Sequence, residues 1–473
     1  MKPGFRYTIL VSFIFSTYAS LLSAQDAHYY SQQPDSRGTL IGGTGTAGSR
    51  ELSAVFYNPG IIALFEQSNV GLGGSLYSVD FLNLYEQEGL DRNLESSTFQ
   101  VIPSIIAGTF KWKKNKKFTT SYAYFNGGYY SGKYSSTKTY EFFENGKAFS
   151  LLNRIDYRTY YTEDWIGSGV SYRINEHWGL GVIPYLHMYT SQYMQRGYSD
   201  VNLVGDNSGY ISGNQDFREA RLFSPGLLFN VGVVYNKNNK EFGLTIITPR
   251  INVKTFAYSS IERSYLTYND QGEISISSLL DSDFKSIIKR PFEINIGYAA
   301  FHERRALKLR ISYYAGIDPY VMGSESEKTI RSGVFDGTDT YGNLPVNSNL
   351  SMLNIGIGHE WNVRPDLIVI LGARTDFSFF DKGQYKYFDF TTMLIYWNLY
   401  HVSAGVDWEY NWLKLSTGVD YAFSYQSGLS QYAAITDLRK PIDDLEFSNS
   451  ARVSYHQLKV FLGLILSFNN KAE

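Results

Sequence analysis

The sequence predicts an all-β protein, a 14-stranded antiparallel transmembrane β-barrel. Three observations predict it. Aromatic residues make up 16% of the chain, yet the mean hydropathy is only -0.25. From about residue 69, apolar and polar residues alternate at the period of a strand. The connections between these alternations are short and long in turn. A helical membrane protein needs several apolar runs of about 20 residues, and none follows the N-terminus. Barrel strands, by contrast, present alternate residues to lipid and lumen and so average to near neutral hydropathy.

Charge and cysteine usage narrow the function classes. A formal net charge of -2 gives no basic excess for a nucleic-acid partner. The absence of cysteine excludes a disulfide framework, a thiol nucleophile and thiolate metal ligands. At the N-terminus, Lys2 and Arg6 precede a mostly apolar stretch from Ile9 to Leu22, and Ser23-Ala24 offers small residues for cleavage. Residues 1–24 therefore read as a secretory signal peptide, with Gln25 as the first mature residue.

The wall is expected over residues 69–468. Its clearest strand is the last, where Leu458, Val460, Leu462, Leu464, Leu466 and Phe468 share one face and Gln457, Lys459, Gly463 and Ser467 the other. The same rule holds for Phe292 to Tyr298, Leu307 to Tyr313, Leu367 to Ala373 and Leu413 to Phe423. Short turns are expected at 113–117, 175–177, 237–240, 302–305, 363–365 and near 410–412. Long polar connections are expected near 83–97, 131–153, 195–222, 259–288, 318–348, 381–389 and 426–450. Transmembrane barrels have this asymmetry, with short periplasmic turns and long external loops. Counting strands between the connections gives about 14, an even number that returns the C-terminus to the periplasmic side.

One strand departs from the rule. Ile155, Tyr157 and Tyr161 set one phase and Ile166, Val170 and Tyr172 the other, so a flip is expected near Glu163 and Asp164, with a bulge or kink. Pro184, inside the next strand, lacks a ladder donor. These three residues mark either ordinary barrel irregularity or a lateral wall opening for a ligand.

Residues 25–68 do not read as a lipid-facing strand. They hold the small-residue run Ile41-Gly42-Gly43-Thr44-Gly45-Thr46-Ala47-Gly48 and then Phe56-Tyr57-Asn58-Pro59-Gly60-Ile61-Ile62. Gly43, Gly45 and Gly48 match a dinucleotide fingerprint by spacing, but no βαβ unit surrounds them. Close backbone packing in a narrow barrel explains them instead. A small-residue run followed by an aromatic-Asn-Pro-small-apolar motif and then a strand resembles the FadL/TodX family of outer-membrane transporters for hydrophobic compounds. The motif covers residues 40–65, with Gly60 where that family more often has alanine. The resemblance implies that residues 25–68 fold as a hatch, or plug, inside the lumen. It also implies passive uptake of long-chain fatty-acid-like or aromatic hydrocarbon cargo through the cell outer membrane. Asn58, Pro59 and Gly60 are then a structural turn, a hatch hinge, or both.

Inward faces nearer the outer side look apolar: Ile183, Tyr185, His187 and Tyr189 on one strand, and Met393, Ile395 and Trp397 on another. Lumenal side chains meet no lipid, so these pack on the plug or line a pocket for an apolar ligand. Nearer the periplasmic ends, Glu293, Lys308, Arg310, Glu360, Arg374, Asp376, Asp407, Glu409, Lys414 and Asp420 suggest charge ladders that hydrate the lumen and anchor the plug. No His-x-x-x-His pair or Gly-x-Ser-x-Gly elbow occurs, so neither a catalytic residue, a metal nor a cofactor is expected. The expected partners are a hydrophobic small molecule and the lipid bilayer of the outer membrane, with no nucleic acid. Two alternatives stay open: a barrel of this type that binds or shuttles a secreted protein, and an outer-membrane barrel enzyme.

Overall fold

The computed structural model describes residues 25–29, 33–85, 94–144, 146–205, 209–253, 255–269, 272–284, 287–321, 346–381, 393–395, 397–410, 412–432 and 447–468. The expected signal peptide lies outside the described residues.

Fourteen antiparallel wall strands form one closed sheet. They are β1 (Ser68–Tyr85), β2 (Leu94–Lys111), β3 (Phe118–Glu144), β4 (Lys147–Arg173), β5 (Trp178–Val204), β6 (Gly209–Lys237), β7 (Lys240–Ile247, Ile251–Asn252 and Phe256–Asn269), β8 (Gly272–Phe284 and Glu293–His302), β9 (Arg305–Tyr314), β10 (Met352–Arg364), β11 (Leu367–Asp376), β12 (Leu399–Tyr410), β13 (Leu413–Tyr432) and β14 (Phe447–Phe468). Each pairs with the next, and β14 returns to β1 with Phe468 opposite Ser68. Closure gives every strand two neighbours, as a membrane that cannot hydrate an open edge requires.

The side chains sort as a membrane barrel requires. On β9, Leu307, Leu309, Ile311 and Tyr313 are exposed on the outside, while Lys308, Arg310 and Tyr314 are buried within. Five of the seven tryptophans (Trp112, Trp178, Trp361, Trp408 and Trp412) are exposed at the short-turn ends. There they form an aromatic girdle at the membrane interface. Trp165 and Trp397 are buried inside.

Three expectations change. The segments 131–153 and 195–222 are not loops for most of their length, because β3 to β6 run on as paired strands of 27 to 29 residues. They are polar on average but rich in Tyr, Thr and Phe, which favour strands. The flip in β4 is also absent, since Tyr161, Glu163, Trp165 and Ser171 all lie on the buried phase. The irregularity sits across the ladder instead, as a bulge between Asn126 and Gly128 of β3, opposite Glu163 and Asp164. Third, Met393 and Ile395 are not in the wall. The short strand Met393–Ile395 pairs in parallel with Gln25–Asp26, at the start of the plug. An alternating apolar run inside a long connection has entered the lumen rather than the bilayer.

The wall is interrupted between β7 and β8. Lys240–Ile247 pairs with β8 over 293–300, and Ala257–Asn269 pairs with 272–284. Residues 248–256 and 285–292, which include Pro249 and Pro291, have no ladder bond between them among the described residues.

Candidate functional site

The plug runs down the lumen from the long-connection side to the turn side. It carries three short helices, α1 (Ser36–Leu40), α2 (Ala54–Tyr57) and α3 (Pro59–Ile62). Helices this short are marginal in water, so the wall must supply what they lack. Asp35 caps α1 through a bond from Gly38 N at 2.7 Å. Asn58 caps α3, its Oδ1 accepting from Gly60 N at 2.9 Å, with Pro59 in the first turn, where no N–H is needed. The Asn58 amide also donates to Thr46 O and to Val233 O of β6, both at 2.9 Å. Asn58-Pro59-Gly60 is thus a cap that staples two parts of the plug to the wall.

Neutral wall side chains satisfy the carbonyls that such short helices leave open. Tyr185 Oη donates to Val55 O at 2.8 Å, Asn230 Nδ2 to Phe56 O at 2.6 Å, Thr245 Oγ1 to Tyr57 O at 2.7 Å and Ser171 Oγ to Pro59 O at 2.7 Å. These donors come from β4 to β7. The opposite side of the plug is held by charge. Arg37 of α1 meets Glu360 of β10 at 2.8 Å and Glu51 of the plug at 3.4 Å, and also pairs with Asp407 of β12. Lys308 reaches Glu360 at 2.6 Å and Lys414 reaches Glu51 at 2.5 Å. Half of the predicted lumenal charges, Glu360, Lys308, Asp407, Lys414 and, through Lys414, Glu409, are assembled around Arg37 and Glu51 of the plug. Burial pushes the Asp35 carboxyl, outside the wall strands, up to about 6.

Glycines let the plug touch the wall. On the inner face, a Cβ at Gly297 would stand 2.7 Å from Ala47 N and one at Gly232 2.9 Å from Pro59 N. A Cβ at Gly181, Gly243 or Gly372 would strike plug backbone more closely still. From the plug side, Gly42 combines φ +66° with a Cβ position 2.6 Å from Ala373 O, so no side chain fits. This belt was visible in the sequence only as glycines on the inward phase of successive strands.

Toward the long-connection side, the lumen is aromatic. Phe56 of the plug meets Phe125 edge-on at 4.9 Å, Phe125 stacks on Trp165 at 5.0 Å, and Tyr185 meets Trp165 at 5.5 Å. A second group joins Tyr29 to Tyr314 at 4.7 Å and to Phe379 at 4.4 Å. Arg290, from the interruption in β8, links the two, with its guanidinium 4.8 Å from the Trp165 ring and 5.4 Å from the Tyr29 ring. Its Nη1 lies 2.6 Å from Glu163 Oε2, and His187 Nε2 lies 3.2 Å from the same oxygen. Arg250, from the interruption in β7, donates to Ser224 Oγ at 2.8 Å and Ile288 O at 2.9 Å.

The predicted site residues divide accordingly. Ile183 and Tyr185 join the core shared with plug residues Phe56, Ile61 and Ile62. Tyr189 packs with Tyr161, Leu222 and Ile288. His187 lies between these groups, against Trp165 at 5.1 Å. Trp397 is buried beside Tyr455, and its carbonyl bonds His28 at 2.9 Å. The side chains of Met393 and Ile395 lie outside what is described. Glu163 faces the lumen, whereas Asp164 binds Tyr124 Oη at 2.8 Å and Asn126 Nδ2 at 3.0 Å beside the bulge. At Pro184 the β4–β5 ladder skips from Gly167–Tyr185 to Val170–Val182, while the β5–β6 ladder continues unbroken. Arg250 and Arg290 were missed, although Pro249 and Pro291 beside them signal a ladder break.

A closed fourteen-strand wall with an apolar outside and a lumen filled by its own N-terminal segment defines a plugged transmembrane β-barrel. No protein-family model and no curated protein matches the sequence. Among solved structures, the chain is similar to a FadL homologue of Pseudomonas aeruginosa, at 10% identity and a TM-score of 0.56 over 93% of this chain and 100% of that one. It is likewise similar to the P. putida toluene transporter TodX, at 12% identity and a TM-score of 0.52 over 94% and 99%. The fold is therefore that of the FadL/TodX barrels, as the motif at residues 40–65 implied.

Proposed function

We propose that this barrel lies in the outer membrane of a Gram-negative cell, exported by the signal peptide at residues 1–24, and admits hydrophobic small molecules passively. The observation that carries the reading is the aromatic cluster that fills the lumen toward the long-connection side. There Phe125, Trp165 and Tyr185 of the wall and Phe379 pack with plug residues Tyr29 and Phe56, where no lipid reaches them. Such a cluster suits an apolar ligand that enters from the external side as the plug shifts. Below it, the glycine belt brings plug and wall into backbone contact, so onward passage requires the plug to move. The cations of the chamber are already engaged, Arg290 with Glu163 and Arg250 with a hydroxyl and backbone carbonyls. An uncharged, ring-containing cargo therefore fits better than a carboxylate. The likeness to a toluene transporter supports the same class.

Proteoliposomes test this. Reconstituted protein should speed toluene entry over empty liposomes, and Trp165→Ala with Phe125→Ala should lower that entry about tenfold. Equal entry with and without the protein would sink the proposal. Faster entry of oleate than of toluene would overturn the preference for neutral cargo.

A further inference from the structure

The outward face of the wall carries a charged groove that the passage of cargo does not use. On β4, Ile166 and Val170 are exposed toward lipid, and the half-buried Tyr160 follows on the same face, edge-on to Tyr129 of β3 at 6.1 Å. Phe223 of β6 and Phe256 of β7 stack at 6.3 Å, both exposed. These rings mark the outer end of the apolar band. Immediately beyond them the same face becomes basic. Arg158 and Arg154 follow Tyr160 on β4, and Arg221 lies two residues beyond Phe223, paired with Glu219 at 2.6 Å. Arg196 of β5 sits directly opposite Asp156 in the ladder. With a rise of about 3.3 Å per residue and a tilt near 40°, Arg158 and Arg154 stand roughly 5 to 15 Å above Tyr160.

Together with Leu152, Met194, Tyr198 and Asp200, the arginines Arg154, Arg158 and Arg196 and the carboxylate Asp156 line a groove of about 330 Å³. Asp156 is bound to Arg154 Nε at 3.0 Å, and Asp200 is the second carboxylate of the lining. Three arginines against two carboxylates leave one surplus positive charge. Arg196 is braced on the Phe217 ring at 4.9 Å, and Arg158 is exposed and has no ion-pair partner among the described residues. Leu152 and Met194 give the groove an apolar floor beside these heads.

We infer that this groove binds the phosphorylated head group of an anionic glycolipid in the outer leaflet. Position and chemistry converge. The arginines stand at head-group height on the lipid side of the wall, and guanidinium forks match phosphate oxygens in pairs. A soluble acidic partner would not need the continuity with the apolar band that Ile166, Val170 and Tyr160 provide. The inference concerns the wall's outside and is independent of what passes through the lumen.

The test uses the full-length protein in detergent, with Arg158→Gln and Arg196→Gln singly and together. Heat-modified mobility on gels confirms that each variant keeps its barrel. Binding is read by native mass spectrometry and by thermal shift against three probes: diphosphorylated lipid A, its dephosphorylated form, and inorganic phosphate. The diphosphorylated lipid should bind the parent protein at about one per barrel. Each substitution should weaken it about tenfold, since hydrogen bonds between charged groups are lost. Dephosphorylated lipid and free phosphate should bind at least tenfold more weakly. Equal binding of phosphorylated and dephosphorylated lipid, or equal binding by the parent and the double variant, would overturn the inference. So would binding of inorganic phosphate as tight as that of the lipid, or a co-purified protein lost with the same substitutions.

Discussion

The two sides of the plug are held by different physics. Toward β4–β7, most of the wall's contacts are neutral side chains donating to plug carbonyls: Tyr185 to Val55, Asn230 to Phe56, Thr245 to Tyr57 and Ser171 to Pro59. They are joined by Glu241, which pairs with Arg50 at 2.6 Å, and Arg173, which pairs with Glu66 at 2.7 Å. Toward β9–β13, the plug is held by buried ion pairs centred on Arg37 and Glu51. The neutral side shares its load among many bonds, each worth about 1 kcal/mol net. The ionic side concentrates it, because removing one buried ion leaves its partners uncompensated. Away from Glu241, the β4–β7 side is thus the more tolerant of single changes. Clearing the lumen then means releasing the ionic side around α1, the costlier of the two.

The largest effect is expected from Arg37→Met. It leaves Glu360 to Lys308 alone, and Glu51 and Asp407 to Lys414 alone, and should weaken plug docking by about 3–5 kcal/mol. Amide exchange over residues 36–43 should accelerate by two orders of magnitude or more, and ionic conductance in planar bilayers should rise. Unchanged exchange would show that the ion pairs are not the anchor.

Asn58→Ala should cost less, about 1–2 kcal/mol for the lost cap, with further loss from the unpaired Thr46 and Val233 carbonyls. The exchange increase should then be confined to residues 58–64, leaving 36–43 protected. An increase spread over both segments would erase the distinction between the two sides.

The smallest effect is a pH dependence from Asp35, whose carboxyl is pushed up to about 6 by burial. A raised acid makes its contribution below the unfolded value near 3.9 and loses it as pH rises through about 6. Protection of α1 should therefore be greater at pH 5 than at pH 7.5, and Asp35→Asn should flatten the difference. Protection that grows from pH 5 to pH 7.5 would contradict the burial argument.

Much of the wall was legible in the sequence, because lipid outside and a filled lumen inside impose a strict period of two. Leu307 to Tyr313 alternate in the structure as they do in the sequence, and the six short turns fall where polar clusters predict them. The reading failed where that constraint lapses. Beyond the bilayer, β3 to β6 are wet on the outside, so residues 131–144 and 147–153 read as loop although they are strand. Met393 and Ile395 alternate like wall residues but pair with Gln25–Asp26 within the lumen. The plug motif was legible through resemblance, but its anchors were not. Arg37 and Glu360 lie 323 positions apart, and no local pattern connects them.

The central claim is that the plug must move for cargo to pass, and the chain offers a clean way to prevent it. It contains no cysteine. A Cβ at Gly463 of β14 would lie 3.1 Å from the Cβ of Ser36, near the 3.5–4.5 Å typical of a disulfide. Ser36→Cys with Gly463→Cys should therefore lock α1 to the wall when oxidised. In proteoliposomes, oxidation should lower toluene entry at least tenfold, and reduction should restore it. Equal entry in the oxidised and reduced states would contradict the account and favour a lateral route, most directly through the unpaired interval between β7 and β8.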